Sequence, residues 1–137
     1  MAEKQKHACA RALIVEDDPA IRKLLQKILL RSGIEIDTVQ DGKNAIEKIA
    51  NFNYSVIVLD LMVPEVNGFE IIEYVKANKI DVPVAVVSAV SQQALTRLDL
   101  DVVKLVITKP FDVDEFTKAI LAICRERQTS RQDAGAT

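Results

Sequence analysis

The chain has 137 residues, 49% hydrophobic and 28% charged, with a net charge of −2. That length suits one domain, able to bury roughly two-thirds of its unfolded surface, with the composition of an ordinary globular protein. The slight negative balance gives no electrostatic case for nucleic acid or an acidic membrane, and no apolar run approaches a membrane span or a signal peptide.

The first nine residues form a polar leader, in which His7 reads as a solvated tail residue. "RALIV" (11–15) is the first β-rich run. A helix follows, opened by Asp18-Pro19 as N-cap and first-turn proline, striped by Ile21, Leu24, Leu25, Ile28 and Leu29, and closed by Gly33. "IEIDTV" (34–39) is the second run. Asp41-Gly42 precedes a second helix with Ala45, Ile46 and Ile49 on one face. "YSVIVL" (54–59) reads as a strand buried on both faces, because it is short, branched and continuous. A third helix spans about 68–78, with Phe69, Ile72 and Val75 inward. "VPVAVV" (82–87) is the fourth strand and "KLVI" (104–107) the fifth. Between them "SQQALTRLDL" makes a poorly anchored fourth helix, with few apolar positions and no terminating glycine. Asp112 and Glu115, at capping-box spacing, open a fifth helix carrying Phe116, Ile120 and Ile123. After Arg127 the small polar tail, residues 128–137, is expected to fray.

Strands alternating with helices predict one α/β domain over residues 10–127. Its sheet is doubly wound and parallel, five strands in the order 2-1-3-4-5, with helices on both faces as in flavodoxin-like folds. Ligands of such sheets lie beyond the carboxyl ends of the strands. There the sequence delivers Glu16-Asp17-Asp18 after strand one, Asp60 after strand three, Ser88 after strand four and Lys109-Pro110 after strand five. Each has a plain structural reading alone: a cap, a turn hydroxyl, a solvated cation. Their joint placement at one crevice points to chemistry. Crowded carboxylates repel unless a cation joins them, and an all-oxygen set without His or thiolate selects Mg²⁺. Lys109 and Ser88 suit phosphoryl oxygens, and a carboxylate can carry a phosphoryl group. Cys9 and Cys124 show no CxxC spacing, so both thiols are expected to be reduced, in a cytoplasmic protein.

With "LIVEDDP", "VIVLDLMVPEVNG", "VVSAV" and "ITKPF" in order, residues 10 to 126 resemble the receiver domain of two-component response regulators, in the style of the stand-alone chemotaxis regulator. The resemblance implies that Asp60 accepts a phosphoryl group from the phosphohistidine of a histidine kinase or phosphotransfer protein. It implies Mg²⁺ held by Asp17, Asp60, the Met62 carbonyl and, through water, Glu16, with Lys109 and Ser88 on the phosphoryl group. It also implies a cis Lys109-Pro110 bond, a downstream protein partner, and room for a homodimer through helix four, strand five and helix five. The chain leaves no space for an output domain of its own, so output is expected through partners or through the rest of a longer protein.

Two rivals share parts of this pattern. A haloacid-dehalogenase-type phosphatase would need a general acid two residues after Asp60, where Met62 stands. A phosphate-independent interaction module of the same fold would have lost the acceptor, the acidic pair or the lysine, and all are present. The chain departs from the family at Val106, where strand five usually carries the aromatic of the conformational switch, and at Val102-Val103, where Gly-Ala is usual. A stiff β-branched Val106 predicts activation without a rotamer switch on that strand. Met62 and Val90, two residues beyond Asp60 and Ser88, cannot orient or deprotonate a water, which predicts slow loss of the phosphoryl group.

Overall fold

The computed structural model describes residues 11–89 and 91–136, with side chains as far as residue 126. In chain order the elements are β1 (Arg11–Val15), α1 (Pro19–Arg31), β2 (Glu35–Val39), α2 (Gly42–Asn51) and β3 (Val56–Leu59), then α3 (Gly68–Ala77), β4 (Val84–Ser88), α4 (Gln92–Leu95), β5 (Val103–Thr108) and α5 (Val113–Ala136). All neighbouring strands pair parallel, in the order β2-β1-β3-β4-β5. This is the doubly wound sheet the sequence predicts.

The three central strands explain their own composition. Side chains alternate across a strand, so Leu13, Val15, Ile57, Leu59, Val84 and Val86 face the core under α2 and α3. Ala12, Ile14, Val56, Val58, Ala85 and Val87 face the other core, packed with Leu25, Ile28 and Leu29 of α1 and Phe116 and Ile120 of α5. Both faces are covered, which is why these strands read as unbroken apolar runs.

The helix ends follow local chemistry. Asp18 accepts from the amides of Ala20 and Ile21, and Pro19 fills the first turn of α1. Gly33, at φ 83°, closes that helix: its amide donates to Leu30 O and the Ile34 amide to Leu29 O, a left-handed C-terminal motif. At α5 the Asp112 carboxylate accepts from the Glu115 amide. The fully reciprocal capping box lies on α3, between Asn67 and Glu70.

Four expectations need correction. Leu24, counted in the α1 stripe, is 43% exposed, because the buried face is carried by Leu25, Ile28 and Leu29. The fourth helix shrinks to Gln92–Leu95. Asp99 stops it: its carboxylate accepts from the Asp101 amide and pairs with Lys76, while its carbonyl accepts from Val102 and Val103. Such Asx turns compete directly with helix continuation. The backbone of α5 stays helical to Ala136, within the 128–137 stretch expected to fray; that stretch has no proline, and several of its residues are good helix formers.

Cys124, buried on α5, is disulfide-bonded rather than reduced, and the sequence's other cysteine, Cys9, lies outside the described residues. Spacing along the chain could not exclude this.

The loop between β3 and α3 is folded tightly onto its surroundings. Leu61 and Val63 turn inward, leaving Met62 outward and 66% exposed. Gly42 at the start of α2 donates its amide to Pro64 O, and an added Cβ there would stand 1.6 Å from Val66 O. Gly42→Ala should therefore displace the loop and cost about 2–3 kcal/mol of stability, measured by urea unfolding.

Candidate functional site

The backbone ladders run one residue past the strands and so fix the side chains at their ends. Glu16 N donates to Val39 O at 3.1 Å, Asp60 N to Val15 O at 3.0 Å, and Lys109 N to Ser88 O at 3.0 Å. Three of the side chains so placed, Glu16, Asp60 and Ser88, are the buried polar groups of the described residues, at 1%, 7% and 1% exposure.

Lys109 joins them. Its ammonium donates to Glu16 Oε1 at 2.7 Å and to Asp60 Oδ2 at 2.9 Å, reaching from beyond β5 across the end of β4. The other Asp60 oxygen, Oδ1, accepts from the Ser88 hydroxyl at 2.8 Å and from the Met62 amide at 3.0 Å. Glu16 Oε2 accepts from the Asp18 amide at 3.1 Å. The Lys109-Pro110 bond is cis.

Glu16, Asp17 and Asp60 each present a carboxylate oxygen, and these oxygens lie within 4.8 Å of one another. Asp17 is the exposed member. An acidic cluster of hard oxygens, only partly neutralised by one lysine, can hold a metal ion, and the donor set matches a hard divalent cation. The crevice thus brings together Glu16, Asp17, Asp60, Ser88 and Lys109. Asp18 stands apart as the cap of α1. Val106 points elsewhere on β5 and is 38% exposed, and Val90 lies outside the described residues. Sequence reasoning missed Arg22, whose guanidinium donates to the carbonyls of Glu16 and Asp17. Its position on the second turn of α1 was the available signal, since helical side chains lean back toward the N-terminus.

Charge states follow from these contacts. Burial alone would push the Asp60 carboxyl up, but the Met62 amide, the Lys109 ammonium and the Ser88 hydroxyl together hold it below the ordinary aspartate range. Burial does push the Glu16 carboxyl up; Lys109 and the Asp18 amide offset this incompletely, and the nearby Asp60 charge adds to it. Burial opposes the Lys109 charge, yet its two carboxylate partners raise its pKa.

The chain is similar to known proteins. The response regulator receiver domain family matches residues 12–121. The transcriptional regulatory protein TcrA of Mycobacterium tuberculosis is 33% identical over 116 residues, which are 84% of this chain and 46% of that protein. The response regulator ArlR of Staphylococcus aureus is 32% identical over 117 residues, 84% of this chain and 52% of that protein. The chain thus spans about half the length of these relatives. Among solved structures, the receiver domain of the Francisella response regulator 1452 superposes with a TM-score of 0.79 at 28% identity, covering 87% of this chain and 98% of that one. The response regulator TrrA of Thermotoga maritima, in complex with Mg²⁺-BeF, gives 0.75 at 29% identity, covering 83% and 98%.

With divalent metal chelated, carboxyl ¹³C NMR should find Asp60 titrating below 3.8 and Glu16 above 4.5, their ordinary values. Lys109→Met should move both upward. The stability signs differ. Asp60 contributes stability above its unfolded value, and that contribution is lost as pH falls through its depressed folded value. Ionised Glu16 opposes folding at neutral pH, and the opposition is relieved as pH falls through its raised folded value.

Proposed function

The chain belongs to the response regulator receiver family, a phosphoacceptor signalling domain of two-component systems, and from that premise we propose that Asp60 accepts a phosphoryl group from the phosphohistidine of a histidine kinase or phosphotransfer protein. The observation that carries this reading is the Asp60 carboxylate itself. It is buried at a rigid strand end, ionised, and held between Lys109 and Ser88 with the acidic pair alongside.

An Asp60 oxygen attacks phosphorus as the donor's N–P bond breaks, and the proton that the imidazole needs comes from solvent. Lys109 is already charged and within hydrogen-bond reach of Asp60, so it can follow the phosphoryl oxygens with little reorganisation. Ser88 supplies a second donor on the opposite side of the carboxylate. Asp17, Asp60, the Met62 carbonyl and, through water, Glu16 would hold Mg²⁺, which supplies the positive charge that lets carboxylates and phosphoryl oxygens share one crevice. The switched state is read by a downstream protein partner or by the remainder of a longer chain. We place this signalling in the cytoplasm on the strength of the kinase partner; among the described residues, no helix is long and apolar enough to cross a membrane.

Acetyl phosphate with Mg²⁺ should add one phosphoryl group to the intact mass, and Asp60→Asn should abolish the gain. Persistence of the gain in that variant would sink the assignment. Asp17→Ala should remove Mg²⁺ dependence, whereas Asp18→Ala should leave it and cost roughly 1 kcal/mol through the lost cap.

The acylphosphate should also be long-lived. Met62, the side chain two residues past the acceptor, offers no group that can hold an attacking water. Met62→Asn should shorten its lifetime several-fold in a radiolabel-release assay; an unchanged and already fast decay would contradict the reading.

A further inference from the structure

Among the described residues, Asp17 is the one carboxylate of the acidic cluster that nothing holds by its side chain. Lys109 and the Asp18 amide grip Glu16, and Lys109, Ser88 and the Met62 amide grip Asp60. Among the described residues, the Asp17 carboxylate has no hydrogen bond or ion pair. An exposed ligand of this kind can be aimed only through its backbone.

The geometry points to Arg22 as the residue that aims it. One terminal nitrogen of Arg22, Nη1, donates to the carbonyl of Glu16 at 2.9 Å and to the carbonyl of Asp17 at 3.3 Å. Those carbonyls belong to the two peptide planes on either side of the Asp17 Cα. Holding both planes fixes φ and ψ of Asp17, and with them the direction of its Cα–Cβ bond. The second plane is also held from its other edge, since its N–H, that of Asp18, donates to Glu16 Oε2. Arg22 is itself well anchored. Its amide donates to Asp18 O in the first turn of α1, and the helix is seated on the core by Leu25, Ile28 and Leu29. Arg22 is thus a positioning residue for a metal ligand, acting through the main chain and touching neither metal nor phosphoryl group.

The proposal rests on the metal-binding reading of the acidic cluster, and it makes a prediction of unusual sign. A guanidinium beside a cation site repels the incoming ion, so loss of its charge alone should tighten metal binding. Loss of its grip should weaken binding, as loss of outer contacts to metal ligands does. Arg22→Gln removes charge and grip together. Arg22→Lys keeps the charge, but its nitrogen falls one bond short of Nη1 and lacks the planar fork.

The test is titration of the full chain with MgCl₂, followed by ¹H–¹⁵N NMR at the amides of residues 16–18 and 60–62, with thermal unfolding of the metal-free proteins measured alongside. Both Arg22 variants should bind Mg²⁺ about tenfold more weakly, and the metal-free midpoints should stay close to wild type. Tighter binding by Arg22→Gln with Arg22→Lys unchanged would make Arg22 a mere charge and overturn the proposal. Unchanged Mg²⁺ affinity with a lowered midpoint would make it a structural brace and overturn it equally. Asp17→Asn separates this from the underlying reading: if that variant binds Mg²⁺ like wild type, the metal assignment fails and the Arg22 proposal with it. Loss of binding in Asp17→Asn with wild-type binding in both Arg22 variants overturns the proposal alone.

Discussion

The ammonium of Lys109 stands between two buried carboxylates, and most of the architecture serves to put it there. Glu16 follows β1, Asp60 follows β3, and Lys109 arrives from beyond β5, at the edge of the sheet. Its single cation can bridge both carboxylates only if β1 and β3 are adjacent, β5 lies two strands from β3, and every carboxyl end points the same way. The parallel order β2-β1-β3-β4-β5 meets each condition. Ser88 at the end of β4 fills the gap that Lys109 crosses, and its hydroxyl occupies the Asp60 oxygen the lysine leaves free.

This arrangement is poorly suited to stability for its own sake. Desolvating charges costs several kcal/mol per ion, and a buried ion pair is often no better than an apolar pair of the same volume. Breaking one by removing a single partner typically costs about 3–5 kcal/mol, because the other charge is stranded. The opposite pKa directions of Glu16 and Asp60 record that imbalance: one lysine satisfies two carboxylates unequally, and burial still presses on Glu16. A further cation would relieve what Lys109 leaves over. The local misfit and the capacity to hold a metal ion are one property.

Much of this was legible in the sequence, for a simple reason. A doubly wound sheet writes its central strands as unbroken apolar runs, and the residue ending each run is placed by that fact alone. Glu16, Asp60, Ser88 and Lys109 could therefore be assigned to one crevice before any distance was known. The features that escaped depend on tertiary context. Leu24 and Leu25 are equally apolar, and only packing against β1 and α5 decides which is inside. The end of α4 is set by Asp99, whose turn-forming carboxylate also pairs with Lys76 on α3. The disulfide state of Cys124 leaves no trace in spacing along the chain. Arg22 contributes through backbone carbonyls, which no pattern of side chains displays.

The same contacts bear on how a phosphoryl group on Asp60 would be read. The Ser88 hydroxyl already donates to Asp60 at 2.8 Å, so a phosphoryl group there would have no distant hydroxyl to draw inward and would exchange one acceptor for another. Val106 is β-branched and half-exposed, and it has no ring to move between two environments. A ligand shifts an equilibrium only through contacts that differ between its states, and neither of these residues supplies a large difference. The remaining place for one is the segment after Ser88. There α4 has four residues, none of them buried, Leu98 and Val102 after it are buried, and the Lys76–Asp99 pair ties the segment to α3 from the solvent side. A segment with so little burial sits at the low-stability end of the molecule.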